Sequence, residues 1–571
     1  MSATTSTHAD DESSISVGTY LFNRIKQLGI NSIFGVPGDF NLALLDHIYE
    51  VDGLRWVGNT NELNAGYAAD GYSRLKSLSV LITTFGVGEL STINAIAGAY
   101  AEHVGLLHIV GVPAQSSENK KLLLHHTLGN GDYKVYARIS KELSEKAIFL
   151  EDAETAPHRI DDALRTAFLT QRPVYLAIPT NIGELSVDKT LLETPIDLTP
   201  PSNDPVTERE VIDRVLRLIE HATNPIILVD ACANRHDVRE ETARLAEVTQ
   251  FPVFTTPMGK SAFNEDNERF GGVYVGSLSS PEVAQVVESA DLVLSVGALL
   301  SDFNTGSFSY GYNTNNIVEF HSDHIKIKRA TYEDISMKPV LDELATRITP
   351  RDPALAVPVP KPMALQTAPK DTTLTQDYLW TNLSSFLRPG DVIVSETGTS
   401  SFGITKTIFP NNSVGISQVL YGSIGYSVGA ALGASLAIEE IDPSRRVILL
   451  VGDGSLQLTV QAISTMIRWN LNPYLFVLNN DGYTIERLIH GPTSSYNDIN
   501  PWQYTKLLEV FTAKNYQNYS IKTTGELDEI FESEEFANPD KIRLIELVLP
   551  RLDAPIALVK QAEITSKTNS A

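Results

Sequence analysis

Short aliphatic runs alternate with longer stretches of mixed polarity along almost the whole chain, a rhythm that predicts strands and helices in turn. NPIILVDA (224–231) reads as a strand, the polar stretch 237–249 as a helix, and PVFTTPM (252–258) as the next strand. VILLV (447–451) and YLFVL (474–478) are further strand-sized runs bounded by glycine and asparagine. This is the pattern of strand–helix–strand units, so the expected fold class is α/β, with parallel sheets flanked by helices and ligands at the carboxyl ends of strands.

Two proline-rich seams interrupt the pattern. The first, 194–205, holds four prolines, and the second, 350–369, holds six; neither has helical or strand periodicity. They divide the chain into three expected domains, 1–194, 206–349 and 371–571. An internal echo links the outer two. Residues 80–102 and 447–468 both run strand, G-x-G, helix, with Gly86 and Gly88 matching Gly452 and Gly454, and with Val87 where the second copy has Asp453. If the two pieces are related modules, their sheets share a strand order.

Composition narrows the function. The 571 residues carry 45 Lys+Arg against 70 Asp+Glu, a net charge of −25, which disfavours nucleic acid and anionic bilayers as partners. No apolar run approaches the roughly 18 residues a membrane helix needs. The single cysteine, Cys232, cannot form a disulfide within the chain and suits a reducing compartment, so a cytoplasmic location is expected. The acidic, polar start MSATTSTHADDESS does not read as a targeting leader.

The sharpest chemical signal is a pair of turns. Gly452-Asp453-Gly454-Ser455 follows one aliphatic run, and Asn479-Asn480-Asp481-Gly482-Tyr483 follows the next, with 24 residues (455–478) between the motifs. A hard cation such as Mg2+ takes about six oxygens, usually one or two from protein and the rest from phosphate and water. The Asp453 carboxylate, the Asn480 amide oxygen and the Gly482 carbonyl would supply half that shell. One acid is enough, because a diphosphate brings its own charge. The glycines let backbone approach a bulky anion, and the helix after Ser455 offers free N–H groups. Either turn alone reads equally well as simple turn chemistry; the pair does not.

G-D-G, 24 residues and N-N resemble the diphosphate and metal motif of thiamine diphosphate enzymes. GVPGDFN (35–41), NTNELNAGYAADGY (59–72), LLLHHTLGNGD (122–132), SDFNTGSFSY (301–310), SETGTSSFG (395–403), QVLYGSIGYSVGA (418–430) and NNDGYTIERLIHG (479–491) extend the likeness to the fungal pyruvate decarboxylases over nearly the full length. The resemblance implies pyrimidine-binding, central and diphosphate-binding domains in that order, thiamine diphosphate and Mg2+ as cofactors, and a homotetramer built as a pair of dimers.

It also implies roles for residues. Glu62 would hydrogen-bond the cofactor's aminopyrimidine; without the family it reads as a helix-face acid. The Gly422 carbonyl would meet the 4′-amino group, with Ser423 beside it and Ile424 as the wedge that bends the cofactor; alone, Ile424 reads as core. Thr399 and Ser455 would bind the diphosphate, with Gly454, Tyr483, Thr484 and Ile485 lining the cofactor. Asp39, His125, His126 and Glu486 would carry protons at the substrate end. Asp39 also reads as a helix N-cap before a face of Phe40, Leu44, Leu45 and Ile48. The adjacent histidines lack the further spacing of a zinc site. Ile485 and Ile489, four apart, could line a narrow apolar pocket suited to a short acyl group.

The expected reaction is therefore non-oxidative decarboxylation of a 2-oxo acid, pyruvate first. Alternatives are longer substrates such as indolepyruvate or phenylpyruvate, carboligation of the acetolactate synthase kind, and a non-catalytic regulator. Gly86-Val87-Gly88 mimics a dinucleotide fingerprint, but Ser91 stands at the third glycine position, and neither NAD nor flavin is expected. The family's substrate activation uses a central-domain cysteine, which Cys232 matches, with Arg235 nearby; Phe168 departs from the tyrosine of relatives and removes a hydroxyl that could bind activator.

Overall fold

In the computed structural model, which describes residues 13–361 and 363–570, the aliphatic runs are the strands of three principal sheets. The acidic start, read above as no targeting leader, falls mostly on residues 1–12 and so lies outside the described residues, as does position 362 within the second proline seam. The chain forms two compact units, one ending at Pro200 and the other beginning at Pro201.

The first unit holds six parallel strands: β1 (Ser32–Gly35), β2 (Arg55–Gly58), β3 (Ser79–Thr84), β4 (Leu106–Val112), β5 (Lys146–Phe149) and β6 (Pro173–Pro179), in the order β2-β1-β3-β4-β6-β5. β3 and β6 are buried along their whole length, as strands covered by helices on both faces must be. Helix α1 (Glu62–Lys76) precedes β3, and α2 (Val87–Ala101) follows it. The run after Asp39 gives only a short helix, Leu42–Asp46, and a 3-10 turn, His47–Glu50. Leu44, Leu45 and Ile48 are buried as the pattern predicts.

The second unit holds two sheets. One contains β7 (Pro225–Val229), β8 (Val253–Thr255), β9 (Phe270–Val273), β10 (Leu292–Val296), β11 (Ile317–Phe320), β12 (His324–Ile327) and β13 (Ala330–Glu333), in the order β9-β8-β7-β10-β11-β12-β13. Its last two strands are antiparallel additions. The other contains β14 (Val392–Ser395), β15 (Val414–Ile416), β16 (Val447–Gly452), β17 (Tyr474–Asn479), β18 (Tyr516–Ile521) and β19 (Ile542–Val548), in the order β15-β14-β16-β17-β19-β18. Ranked by their own chain order, the strands of this sheet and of the first unit's sheet follow one sequence, 2-1-3-4-6-5, all parallel. The strand–G-x-G–helix echo is thus the third strand and its turn in each of two modules of the same topology.

Each sheet of the second unit has its own apolar core, one running from Val211 to Leu344 and the other from Leu374 to Leu549. Among the described residues the two seams form no long element; 194–204 is irregular, and a 3-10 turn, Pro353–Leu355, is the one element within 351–369. Among the described residues no helix is long and apolar enough to cross a membrane.

Candidate cofactor site

β16 and β17 are neighbours in register, with Gly452 opposite Leu478, so the turns that leave them emerge side by side. Gly452 caps α3 (Asp453–Thr459), and Asp453 is its first residue, where an acid also faces the positive end of the helix dipole. The Asp453 carboxylate is 2% exposed and accepts N–H bonds from Gly454 at 2.8 Å and Gly482 at 3.0 Å. Burial nevertheless pushes its pKa up to about 6, the signature of a charge short of a counter-ion. A Cβ on Gly454 would come within 2.6 Å of the Tyr483 ring, and Gly482 takes a φ of +115°, so both positions require glycine.

Asn480 completes an unusual meeting of oxygens. Thr484 donates to the Arg551 carbonyl at 3.0 Å, and in one orientation of the Asn480 amide, also 3.0 Å away, the amide nitrogen faces the Thr484 oxygen. That orientation leaves Asn480 Oδ1 facing two further acceptors, the Gly482 carbonyl at 3.0 Å and Asp453 Oδ1 at 3.2 Å. Turned over, the amide donates to both of those oxygens and accepts from Thr484, which satisfies the groups when no ion is bound; the first orientation is the one an ion would select. Acceptors facing acceptors repel unless a cation lies among them, and neighbouring oxygens of an octahedral Mg2+ shell with bonds of 2.0–2.1 Å are about 3.0 Å apart. The three oxygens fit such an ion.

Around them, Thr399 opens a short helix, Thr399–Gly403, and is buried. The Ser455 hydroxyl accepts from Gly425 N at 2.9 Å and bonds Glu396, so its own polar contacts are inside the protein. Gly422 and Gly425 have φ of +67° and +87°, and between them Ile424 is 41% exposed, so it is not packed in a core, the alternative to its expected place against the cofactor. Ser423 N donates to Gln418 Oε1. Tyr483 caps α4 (Thr484–Ile489), where Ile485 and Ile489 are half-buried. Glu486 lies on the same helix with an exposed side chain, yet the atoms around its carboxyl raise its pKa by desolvation.

The first unit carries a second cluster. Glu62 is the first residue of α1, behind an Asn61 cap whose side chain accepts from Asn64 N, and partial burial raises its pKa. Asp39 is not an N-cap: it lies in the turn before the helix, and Asn41 takes the cap position, with its Oδ1 accepting from Gly38 N. Asp39 Oδ2 instead meets His125 Nε2 at 2.7 Å, while Phe40 stacks on the His125 ring at 5.0 Å. His126 lies edge-on to His125 at 4.6 Å and holds a left-handed φ of +65°. One ligand-type atom from each of Asp39, His125 and His126 falls within 4.8 Å of the others, so folding brings a third group to the histidine pair; within the cluster Asp39 and His125 are hydrogen-bonded at 2.7 Å.

Cys232 is buried in a short helix, Ala231–Arg235, at the carboxyl end of β7, with Arg235 on the same helix. Phe168 is half-buried near the end of the helix Ala156–Thr170.

Two buried acids were missed by sequence reasoning. Glu396, just past β14, accepts from Gly452 N and Ser400, and burial lifts it to about 7. Glu89 does the same for Gly86 in the other module. The one local cue was an acid beside a glycine turn.

Three family models match the chain: thiamine pyrophosphate enzyme, N-terminal TPP binding domain, over 15–134; central domain, over 212–347; and C-terminal TPP binding domain, over 397–546. Pyruvate decarboxylase isozyme 3 of Saccharomyces cerevisiae is 60% identical over 98% of this chain and 100% of its own length. The chain belongs to the pyruvate decarboxylases. Relatives in this family include the pyruvate decarboxylase of Kluyveromyces lactis, 60% identical with the same coverage, and that of Candida albicans, 59% identical over 98% of this chain and 100% of its own. The pyruvate decarboxylase fold is also that of a 4-hydroxybenzoylformate decarboxylase of Rhodococcus jostii, a thiamine diphosphate-dependent protein, with a TM-score of 0.75, 20% identity and coverage of 94% of this chain and 99% of that one.

Proposed function

We propose that this chain catalyses the non-oxidative decarboxylation of pyruvate, CH3COCOO− + H+ → CH3CHO + CO2. The observation that carries the reading is 60% identity over 98% of the chain to enzymes named pyruvate decarboxylase. Thiamine diphosphate, when bound, supplies the electron sink that accepts the bonding pair as CO2 leaves. Asp453, the Asn480 oxygen and the Gly482 carbonyl would hold Mg2+, and Thr399, Gly454 and the first N–H groups of α3, that of Ser455 among them, would receive the diphosphate. Gly422, Ser423, Ile424, Tyr483, Thr484 and Ile485 would set the cofactor's conformation and walls. Glu62 would share a proton with the aminopyrimidine, a task suited to a carboxyl whose bare charge is poorly solvated. Asp39, His126 and Glu486 would move protons to and from the substrate, with His125 supporting Asp39.

Incubation with thiamine diphosphate, Mg2+ and pyruvate should yield acetaldehyde and CO2. Acetolactate as main product, or turnover of indolepyruvate or phenylpyruvate alone, would overturn the assignment. Glu486→Gln keeps the shape of its helix but cannot release a proton, so it should lower turnover by about 100-fold or more while cofactor affinity stays within a few-fold.

We further propose domain boundaries at the two proline seams, 1–194, 206–349 and 371–571. A homotetramer built as a pair of dimers is supported by apolar side chains left exposed beside the candidate residues: Val87 and Leu90 in the first unit, Leu420, Tyr421 and Leu458 in the second. Light scattering of the holoenzyme at one-chain mass would contradict it. The single cysteine suits a reducing cytoplasm, and recovery from a secretory compartment would contradict that location. Cys232, with Arg235 and Phe168, is assigned to substrate activation. The rate should rise sigmoidally with pyruvate and become hyperbolic in Cys232→Ala; a wild-type hyperbola removes this regulatory role.

A further inference from the structure

The turn between β3 and α2 stands where its counterpart carries the metal ligand, but Val87 replaces the aspartate and is half exposed. What distinguishes it is a fully buried acid two residues after Val87. Glu89 Oε1 accepts from Gly86 N at 2.8 Å, and Oε2 accepts from the Tyr175 hydroxyl at 3.1 Å, from the middle of β6. Its carboxyl is 0% exposed and burial pushes it up to about 7. A group so costly to bury is held by its bonds rather than by solvent.

The turn it grips touches both parts of the first unit's cluster. A Cβ on Gly86, whose φ is +70°, would lie 2.5 Å from the His126 carbonyl oxygen. A Cβ on Gly88 would lie 3.2 Å from Glu62 Oε1 and 3.2 Å from Thr84 Cγ2. The backbone of 86–88 is therefore a wall against which the Glu62 carboxylate and the His125–His126 loop both rest. The left-handed His126 backbone is further fixed by the Tyr136 hydroxyl, which donates to its carbonyl at 2.8 Å.

We propose that Glu89 is a positioning residue: its carboxyl holds the 86–88 turn in the shape that seats the Glu62 carboxylate and the His126 backbone together. The proposal rests on the roles given above to Glu62 and His126. Three variants test it. Glu89→Leu removes both acceptors. Glu89→Gln keeps an oxygen for Gly86 N and offers an N–H to the Tyr175 oxygen. Gly88→Ala leaves Glu89 intact and lies inside α2, where alanine favours the helix, but presses on Glu62.

In the cofactor-free chain, amide hydrogen exchange over 85–92 should accelerate in Glu89→Leu and remain as wild type in Glu89→Gln. In the holoenzyme, exchange of the cofactor's C2 proton with D2O, which reads Glu62 without substrate, should slow about tenfold or more in Glu89→Leu and in Gly88→Ala. kcat should fall in parallel, KM for pyruvate should stay within about twofold, and the Gly88→Ala melting temperature should not drop. Glu89→Gln should restore all readouts to within about threefold. Unchanged C2 exchange in Gly88→Ala overturns the proposal even if Glu89→Leu does not fold, as does a Glu89→Gln protein no better than Glu89→Leu. Glu62→Gln serves as the reference: normal C2 exchange there removes the role of Glu62 itself, whereas slowed exchange there with normal exchange in Gly88→Ala removes only the role of the turn.

Discussion

Asp453→Ala should weaken uptake of thiamine diphosphate with Mg2+ by well over about 100-fold and abolish measurable turnover. Residues that merely orient metal ligands cost 10–100-fold in affinity when removed, and Asp453 is the only charged member of the oxygen set. The variant should still fold. In the cation-free chain this carboxylate is desolvated enough to be lifted to about 6, so its loss relieves a burial penalty while forfeiting the N–H bonds from Gly454 and Gly482. These effects oppose each other, and the variant's own melting temperature should move by only a few degrees. What should vanish is the rise in melting temperature that cofactor and Mg2+ give the wild type, since stabilisation by a ligand follows its affinity. The raised pKa also has a sign. The ion needs the ionised carboxylate, so protons compete below about pH 6 and cofactor uptake should weaken as pH falls from 7 to 5. An Asp453→Ala protein that still warms its melting point with cofactor would remove Asp453 from the metal shell.

Glu62→Gln should show the opposite combination, with cofactor uptake kept within a few-fold and turnover down by about 10²–10⁴-fold, the usual worth of a positioned acid or base. Glutamine fills the same volume at the start of α1 and offers a hydrogen bond, but it cannot share or release a proton. Glu62 is not a member of the metal oxygen set, so affinity should be spared. Burial raises its pKa, which fits a group that passes a proton rather than one that holds a fixed charge. Calorimetry for uptake and stopped-flow detection of acetaldehyde would separate the two effects. Equal loss of both would make Glu62 a structural residue.

Much of this architecture is legible in the residues because it is local. Aliphatic runs ending in glycine turns mark β16 and β17, and the G-x-G echo anticipates a shared strand order because a sheet's topology repeats when its modules do. The oxygen set also follows from turn chemistry, since Asp453, Asn480 and Gly482 sit at the ends of adjacent parallel strands. What sequence does not carry is burial created by distant segments. Glu89 and Glu396 look like ordinary acids beside glycines; their raised pKa values arise from the strands that close over them. Asp39 also fits a cap before an apolar face, but Asn41, two residues nearer the helix, holds that position, and Asp39 meets His125. An aliphatic residue such as Ile424 suits a core equally well, but glycines of left-handed φ on either side leave it exposed. The hydroxyl that faces the Asn480 amide, Thr484, is itself tied to the carbonyl of Arg551, a residue far along the chain.

The most direct measurement is calorimetric titration of thiamine diphosphate into chain stripped of divalent ions by chelation, before and after Mg2+ is restored. The expected result is no saturable heat without the ion and one equivalent of cofactor per chain with it. Uptake that is equally tight in both conditions, or absent in both, would contradict a cofactor tethered through an ion at Asp453, Asn480 and Gly482.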